Sequence, residues 1–216
     1  MNNTVPEFLW TDEEDLQLDP AAARTEPRVA IPGLPAESGL WVFVLGDMTV
    51  FGWFFLVFMW ERRQDRAVFA DAVNELYQPI GVVNTLVLLL GSYLVVLALH
   101  ANRVGRLVRC KRLLVGVIAC GAAFAALKAV EYSLETSDGH TPGENGFFLF
   151  YFMLTGIHLL HVLIGTALLF GWFRNARRGR EWKRDRVFAE SAAVYWHMVD
   201  LLWILIFTLI YLVSQA

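Results

Sequence analysis

Residues 151–166, YFMLTGIHLLHVLIGT, set two histidines three residues apart inside an apolar run that extends from 147 to 173. At ~1.5 Å per residue such a run crosses a hydrocarbon core of ~30 Å as one helix. A three-residue step brings side chains back to nearly the same helix face, so His158 and His161 are expected to point together into whatever the helix packs against. Four further apolar runs, at 39–60, 80–100, 113–133 and 188–214, have comparable length. The reading is therefore an all-α integral membrane bundle of five transmembrane helices.

Composition agrees, since 56% of the 216 residues are hydrophobic and 14% aromatic, too apolar for a domain that must coat itself with charge. The net charge of −3 hides a strong segregation. Arg103, Arg106, Arg109, Lys111 and Arg112 fall in the connection 101–112. Arg174, Arg177, Arg178, Arg180, Lys183, Arg184 and Arg186 fall in 174–187. The alternate connections, 61–79 and 134–146, hold only Arg62, Arg63 and Arg66. The positive-inside rule then puts the N-terminus in the cytoplasm and the C-terminus outside. Residues 1–38 carry Glu7, Asp12, Glu13, Glu14, Asp15, Asp19, Glu26 and Glu37 among five prolines. They read as a disordered acidic cytoplasmic tail rather than a signal peptide. Cys110 and Cys120, ten residues apart on one helix, would lie ~15 Å from each other, beyond disulfide reach.

Ionisable residues inside apolar runs are costly and therefore informative. Asp47 interrupts the first run and needs a partner or a proton. Asn84 and Thr85 sit in the second, whose far end, His100, is expected at the interface. Lys128 and Glu131 share a face of the third, either as an ion pair or with the lysine snorkelling to the interface. His197, Asp200 and Trp203 follow at three-residue steps in the fifth. Counting depth from the end that carries the arginines places Asp47 and His197 at ~12–13 Å and His161 and Asp200 at ~18 Å. Asn84, Lys128 and Glu131 fall at ~22–27 Å by the same rise. Two inward-facing polar layers are expected.

Three chemistries fit these groups. A single haem could be held by His161 and His197 in a membrane cytochrome of the haem b kind. Asp47, the histidines and Glu131 could relay protons. Alternatively, the groups are structural, tying helices together or shaping a cleft for lipid. No nucleophile with its base, phosphate-cradling loop or closed metal-ligand set is visible. The basic loops adjoin membrane ends and do not indicate nucleic acid.

Two longer patterns are more specific. Thr155-Gly156-x-His158-x-x-His161 and Tyr195-Trp196-His197-x-x-Asp200-x-x-Trp203 closely resemble the last two helices of cytochrome c oxidase subunit III. Glu131-Tyr132 with Ser137-Asp138-Gly139, and Pro79 with Asn84-Thr85, are similar to earlier parts of that family, and Asp47 falls where it usually carries a buried glutamate. The resemblance covers 39–214. It implies a short five-helix form of a non-catalytic subunit with no haem or copper of its own. Its partners would be the catalytic subunit I of a haem–copper oxidase and other oxidase subunits in the cell inner (plasma) membrane. The complex would pass electrons from cytochrome c or quinol to oxygen with proton translocation, and this chain would bind phospholipid in a cleft and sustain proton uptake. Carried over by position, Asp47 and His161 would form an acid–imidazole pair beside that cleft. His158, His197, Asp200 and Glu131 fall on other characteristic positions, and Glu190 fits the acid at the entry to the final helix. Lys128 stands where a neutral glutamine is expected. Leu40-Trp41-Val42-Phe43 leading to Gly46-Asp47-Met48 resembles the branch associated with nitric oxide reductase, which makes an accessory subunit of that enzyme the alternative.

Overall fold

A computed structural model describes residues 38–178 and 182–212, so the acidic segment 1–37 lies outside the described residues. Among those described, the chain is helical: α1 Ser38–Gln64, α2 Arg66–Glu75, α3 Gln78–Arg103, α4 Leu107–Ser137, α5 Gly146–Arg178 and α6 Trp182–Phe207, the last continuing into a π-helical turn, Thr208–Leu212. All but α2 are long and apolar enough to cross a membrane.

The ends of the helices follow from local chemistry. Gly105 adopts φ 73° and Gly139 φ 96°, a region that costs a residue with Cβ but not glycine. In each case the next residue folds back five positions, Arg106 N–H to Ala101 O at 2.9 Å and His140 N–H to Glu135 O at 2.9 Å. These bonds satisfy carbonyls that the helix end would leave orphaned. Pro79 stands in the first turn of α3, where its missing N–H costs nothing. Asn145 accepts the Phe148 N–H on its side-chain oxygen at 3.0 Å and so caps α5.

Two features depart from the expected organisation. The stretch 101–112 is not a loop. Helix runs through most of it, and the reversal takes only residues 104–106, because Gly105 turns so tightly. Likewise, 61–79 contains α2, a short amphipathic helix whose buried residues Phe69, Ala72 and Val73 are followed by buried Leu76. Its apolar stripe is too short to register as a membrane run. Phe69 meets Phe58 of α1 and Phe147 of α5 edge-on, at 5.4 and 5.6 Å between ring centroids, the arrangement that ring quadrupoles favour.

Helix α3 lies along α4, α5 packs against α4 and α6, and α6 closes back on α3. Glycines make this possible. The fully buried Trp196 of α6 fits a notch built by Gly91 of α3, Gly121 of α4 and Gly165 of α5, and a Cβ on any of the three would stand 3.2 Å from the indole. Small residues of this kind let membrane helices approach and pack by van der Waals contact. By contrast α1 packs mainly on α6, α5 and α2 and leaves Val42, Leu45, Trp53, Leu56 and Trp60 exposed.

Candidate functional site

The two histidines of the 151–166 stretch do not share a neighbour. A three-residue step still leaves ~60° between side chains, and α5 sits between different partners on those two sides. His161 turns to α1, where its Nε2 lies 3.1 Å from Asp47 Oδ1. His158 turns to α4 and α6, packed between Phe124 at 5.5 Å and Trp203 at 5.2 Å. It is fully buried, with neither ring nitrogen hydrogen-bonded.

The bonding of His161 fixes its proton. Nδ1 is 2.7 Å from the Ile157 carbonyl, and a carbonyl can only accept, so Nδ1 carries hydrogen. One further proton then lies between Nε2 and Asp47, giving either an imidazolium facing a carboxylate or a neutral ring accepting from a carboxylic acid. Both side chains are slightly exposed, 11% and 13%. Phe51 stacks edge-on against the imidazole at 5.5 Å. With both nitrogens engaged, His161 offers none to the haem that the alternative cytochrome reading would hold between it and His197.

A second cluster is closed entirely from solvent. Lys128 does not snorkel. Its Nζ lies 3.1 and 3.0 Å from the two Glu131 oxygens, with both side chains wholly buried. Glu131 Oε1 also accepts from Tyr151 at 2.7 Å and Tyr211 at 2.5 Å. The ammonium faces the rings of Trp203, Tyr151, Tyr132 and Tyr211 at 5.0–5.9 Å from their centroids, a geometry in which each π-face attracts the cation. Sequence reasoning found the ion pair but missed the cage. One signal was available, because the depth count that puts Lys128 at ~22 Å puts Trp203 at the same height.

The expected second layer otherwise needs correction. Asn84 is buried with both amide atoms unpartnered, and its neighbour Thr85 supplies the contact instead, accepting the Trp203 indole N–H at 3.0 Å. The first layer also divides. His197 is exposed on the bundle surface, where its Nδ1 lies 2.6 Å from Ser92 Oγ of α3. Asp200 is buried beside it, contacting the same serine hydroxyl, with Oδ1 unpartnered. Among the described residues no hydrogen bond joins the Asp47–His161 pair to the Lys128 cage. Glu190 bridges helices at the arginine-bearing end, accepting from Arg103 at 3.1 Å and Arg186 at 3.2 Å. His100 is exposed near that end. At the opposite end Tyr77 donates its phenol to Asp138 at 2.9 Å, and that bonded carboxylate holds the phenol above its usual range. No group of three or more histidines, cysteines or carboxylates among the described residues could hold a metal.

Five apolar spans, with Asp47 paired to His161 and Lys128 to Glu131 inside them, make this a helical, multi-pass integral membrane protein. The match that specifies it further covers residues 32–215, which fit the model of the family described as cytochrome c oxidase subunit III. Cytochrome c oxidase subunit 3 of Bacillus sp. (strain PS3) is 27% identical over 206 residues, 94% of this chain and 98% of that protein. Quinol oxidase subunit 3 of Bacillus spizizenii is 28% identical over 179 residues, covering 82% and 86%. A haem–copper oxidase subunit I+III of Aeropyrum pernix is 27% identical over 219 residues, 95% of this chain but 26% of that longer protein. The chain belongs to the cytochrome c oxidase subunit III family, and its role is that of a non-catalytic subunit of a haem–copper oxidase.

Proposed function

We propose that this chain binds the catalytic subunit I of a terminal oxidase, together with other subunits, and sustains oxygen reduction coupled to proton translocation without performing redox chemistry itself. The observation that carries the reading is the pairing of two intramembrane charged groups, Asp47 and Lys128, within the bundle itself. Asp47 is spent on His161, and Lys128 on Glu131, which suits a stiff supporting element. A relative in which subunits I and III form one protein supports subunit I as the partner. Relatives named for cytochrome c and for quinol support one of these as the electron donor of the complex. Haem and copper belong to the partner in this reading. Phospholipid lies against the exposed face of α1 beside the Asp47–His161 pair. The membrane is the plasma membrane, with the arginine-bearing ends in the cytoplasm, as the charge bias of the connections supports.

The stretch 40–48 favours a second reading, an accessory subunit of nitric oxide reductase. One experiment separates the two. A tagged chain is purified in mild detergent and the large haem protein that accompanies it is identified. An oxygen-reducing haem–copper subunit is expected. A nitric oxide reductase subunit overturns the first reading in favour of the second, and stoichiometric haem on the chain alone overturns both in favour of a membrane cytochrome.

A further inference from the structure

At the end of the bundle opposite the arginines, one side chain of the α4–α5 turn points inward. Asp138, Gly139, Thr141 and Glu144 are exposed, whereas the His140 side chain is 15% exposed. Its ring lies flat on the fully buried Phe148 of α5, with 4.4 Å between centroids and 11° between planes. Nδ1 is 3.1 Å from Glu144 Oε2, and Nε2 is 3.7 Å from Oε2 of Glu75, the last residue of α2. The His140 backbone N–H is bonded to the Glu135 carbonyl of α4. One imidazole therefore ties together the end of α4, the start of α5 and the end of α2.

The neighbours of this ring decide how many protons it needs. A carboxylate only accepts, and a neutral imidazole has a single N–H to donate. With carboxylates at both nitrogens, the arrangement is complete only when both carry hydrogen and the ring is a cation, the form that also stands best over an aromatic face. The remaining groups around the ring are acidic or bonded to acids. Asp138 of the same turn accepts from the Tyr77 phenol at the head of α3. Glu135 is buried, accepts the Tyr77 N–H at 3.3 Å and feels the charges of His140 and, two turns deeper, of Lys128. Among the described residues no lysine or arginine lies within ion-pair distance of Glu75, Glu135, Asp138 or Glu144. Loss of the imidazole proton removes one bond and leaves these carboxyl groups around a neutral ring.

We propose that His140 is a pH-sensitive clasp, which when protonated pins the α2–α3 corner to the α4–α5 turn over Glu135 and when neutral lets that corner swing away. The closed arrangement needs the proton and the open one does not, so acid favours closure until the carboxylates themselves take up protons, and rising pH opens the clasp. Histidine suits the task because its charge changes between about pH 5 and 8. With the arginine-bearing ends in the cytoplasm, the clasp faces the side that a proton-translocating complex acidifies. That setting rests on the subunit reading above, whereas the clasp itself does not.

The test places spin labels at Asn74→Cys on α2 and Gly143→Cys in the turn, both exposed, while the native cysteines are buried. The full chain, with the subunits that accompany it, is held in lipid nanodiscs, and the distance between labels is read by double electron–electron resonance from about pH 5 to about pH 8. The short-distance population is expected to fall about two- to fivefold relative to the longer one across this range, the span of partly exposed ion pairs. His140→Arg, a planar cation at every pH, should keep the short distance throughout, and His140→Gln should show the reduced population at both ends. Distances in the otherwise unmodified chain that do not respond to pH would overturn the clasp. So would a His140→Arg chain that opens as readily as the one with histidine. A response of the expected sign in a preparation without any haem-bearing subunit would support the clasp and count against the subunit reading.

Discussion

At the scale of single residues, the chain distinguishes groups that bond from groups that fill space. Asp47 and His161 bond, and their contact ties α1 to α5. Asp47→Ala should therefore loosen α1, costing about 1 kcal/mol, and should weaken retention of lipid or partner while leaving the partner's haem spectrum unchanged. Immediate loss of turnover in a fully assembled complex would instead favour proton relay. The Lys128 cage gives a sharper expectation. Glu131→Gln leaves a buried ammonium without its counter-charge and should cost about 3–5 kcal/mol. Lys128→Met combined with Glu131→Gln should recover most of that loss, because the desolvation penalty disappears with the charge. Thermal unfolding in detergent measures both, and a double variant no more stable than the single one would refute the ion-pair account. The sequence exposed these charges because hydrocarbon makes any charge conspicuous. It concealed their partners, since Tyr151, Tyr211 and Ser92 are ordinary residues in apolar runs, and only packing brings them to Glu131 and His197. His158 shows the converse. Spacing made it a twin of His161, but ~60° of helix rotation turned it into a packed ring between Phe124 and Trp203.

At the scale of helices, the five spans were legible because their length is set by the membrane and their ends by charged connections. What escaped was α2. Ten residues with a narrow apolar stripe do not distinguish themselves from a loop until α1 and α5 present Phe58 and Phe147 to receive Phe69. That packing predicts a local effect. Phe69→Ala should destabilise this end by about 3 kcal/mol, raising amide exchange across α2 while exchange in α4 stays slow. Equal exchange increases in both helices would show that α2 is not an independent cap. The reversal at Gly105 has a similar logic, since positive φ lets helix continue to within three residues of the turn and converts an expected loop into helix ends that display their arginines.

At the scale of the whole molecule, topology should reside in the spans and their basic connections. Removal of residues 1–35 should leave insertion and orientation unchanged, as reporter fusions at the two chain ends would read. Inversion or failure to insert would assign the topological signal to the acidic segment. The notch that receives Trp196 carries a consequence for the order of events during synthesis. One of its walls comes from α3, one from α4 and one from α5, so the receptacle exists only after three earlier spans have gathered, and the last span can seat only then. A ribosome that stops short of residue 196 therefore releases a bundle with a hollow at its centre. Seating of the indole thus depends on all three earlier spans at once, and a side chain on any of the three glycines would disturb it.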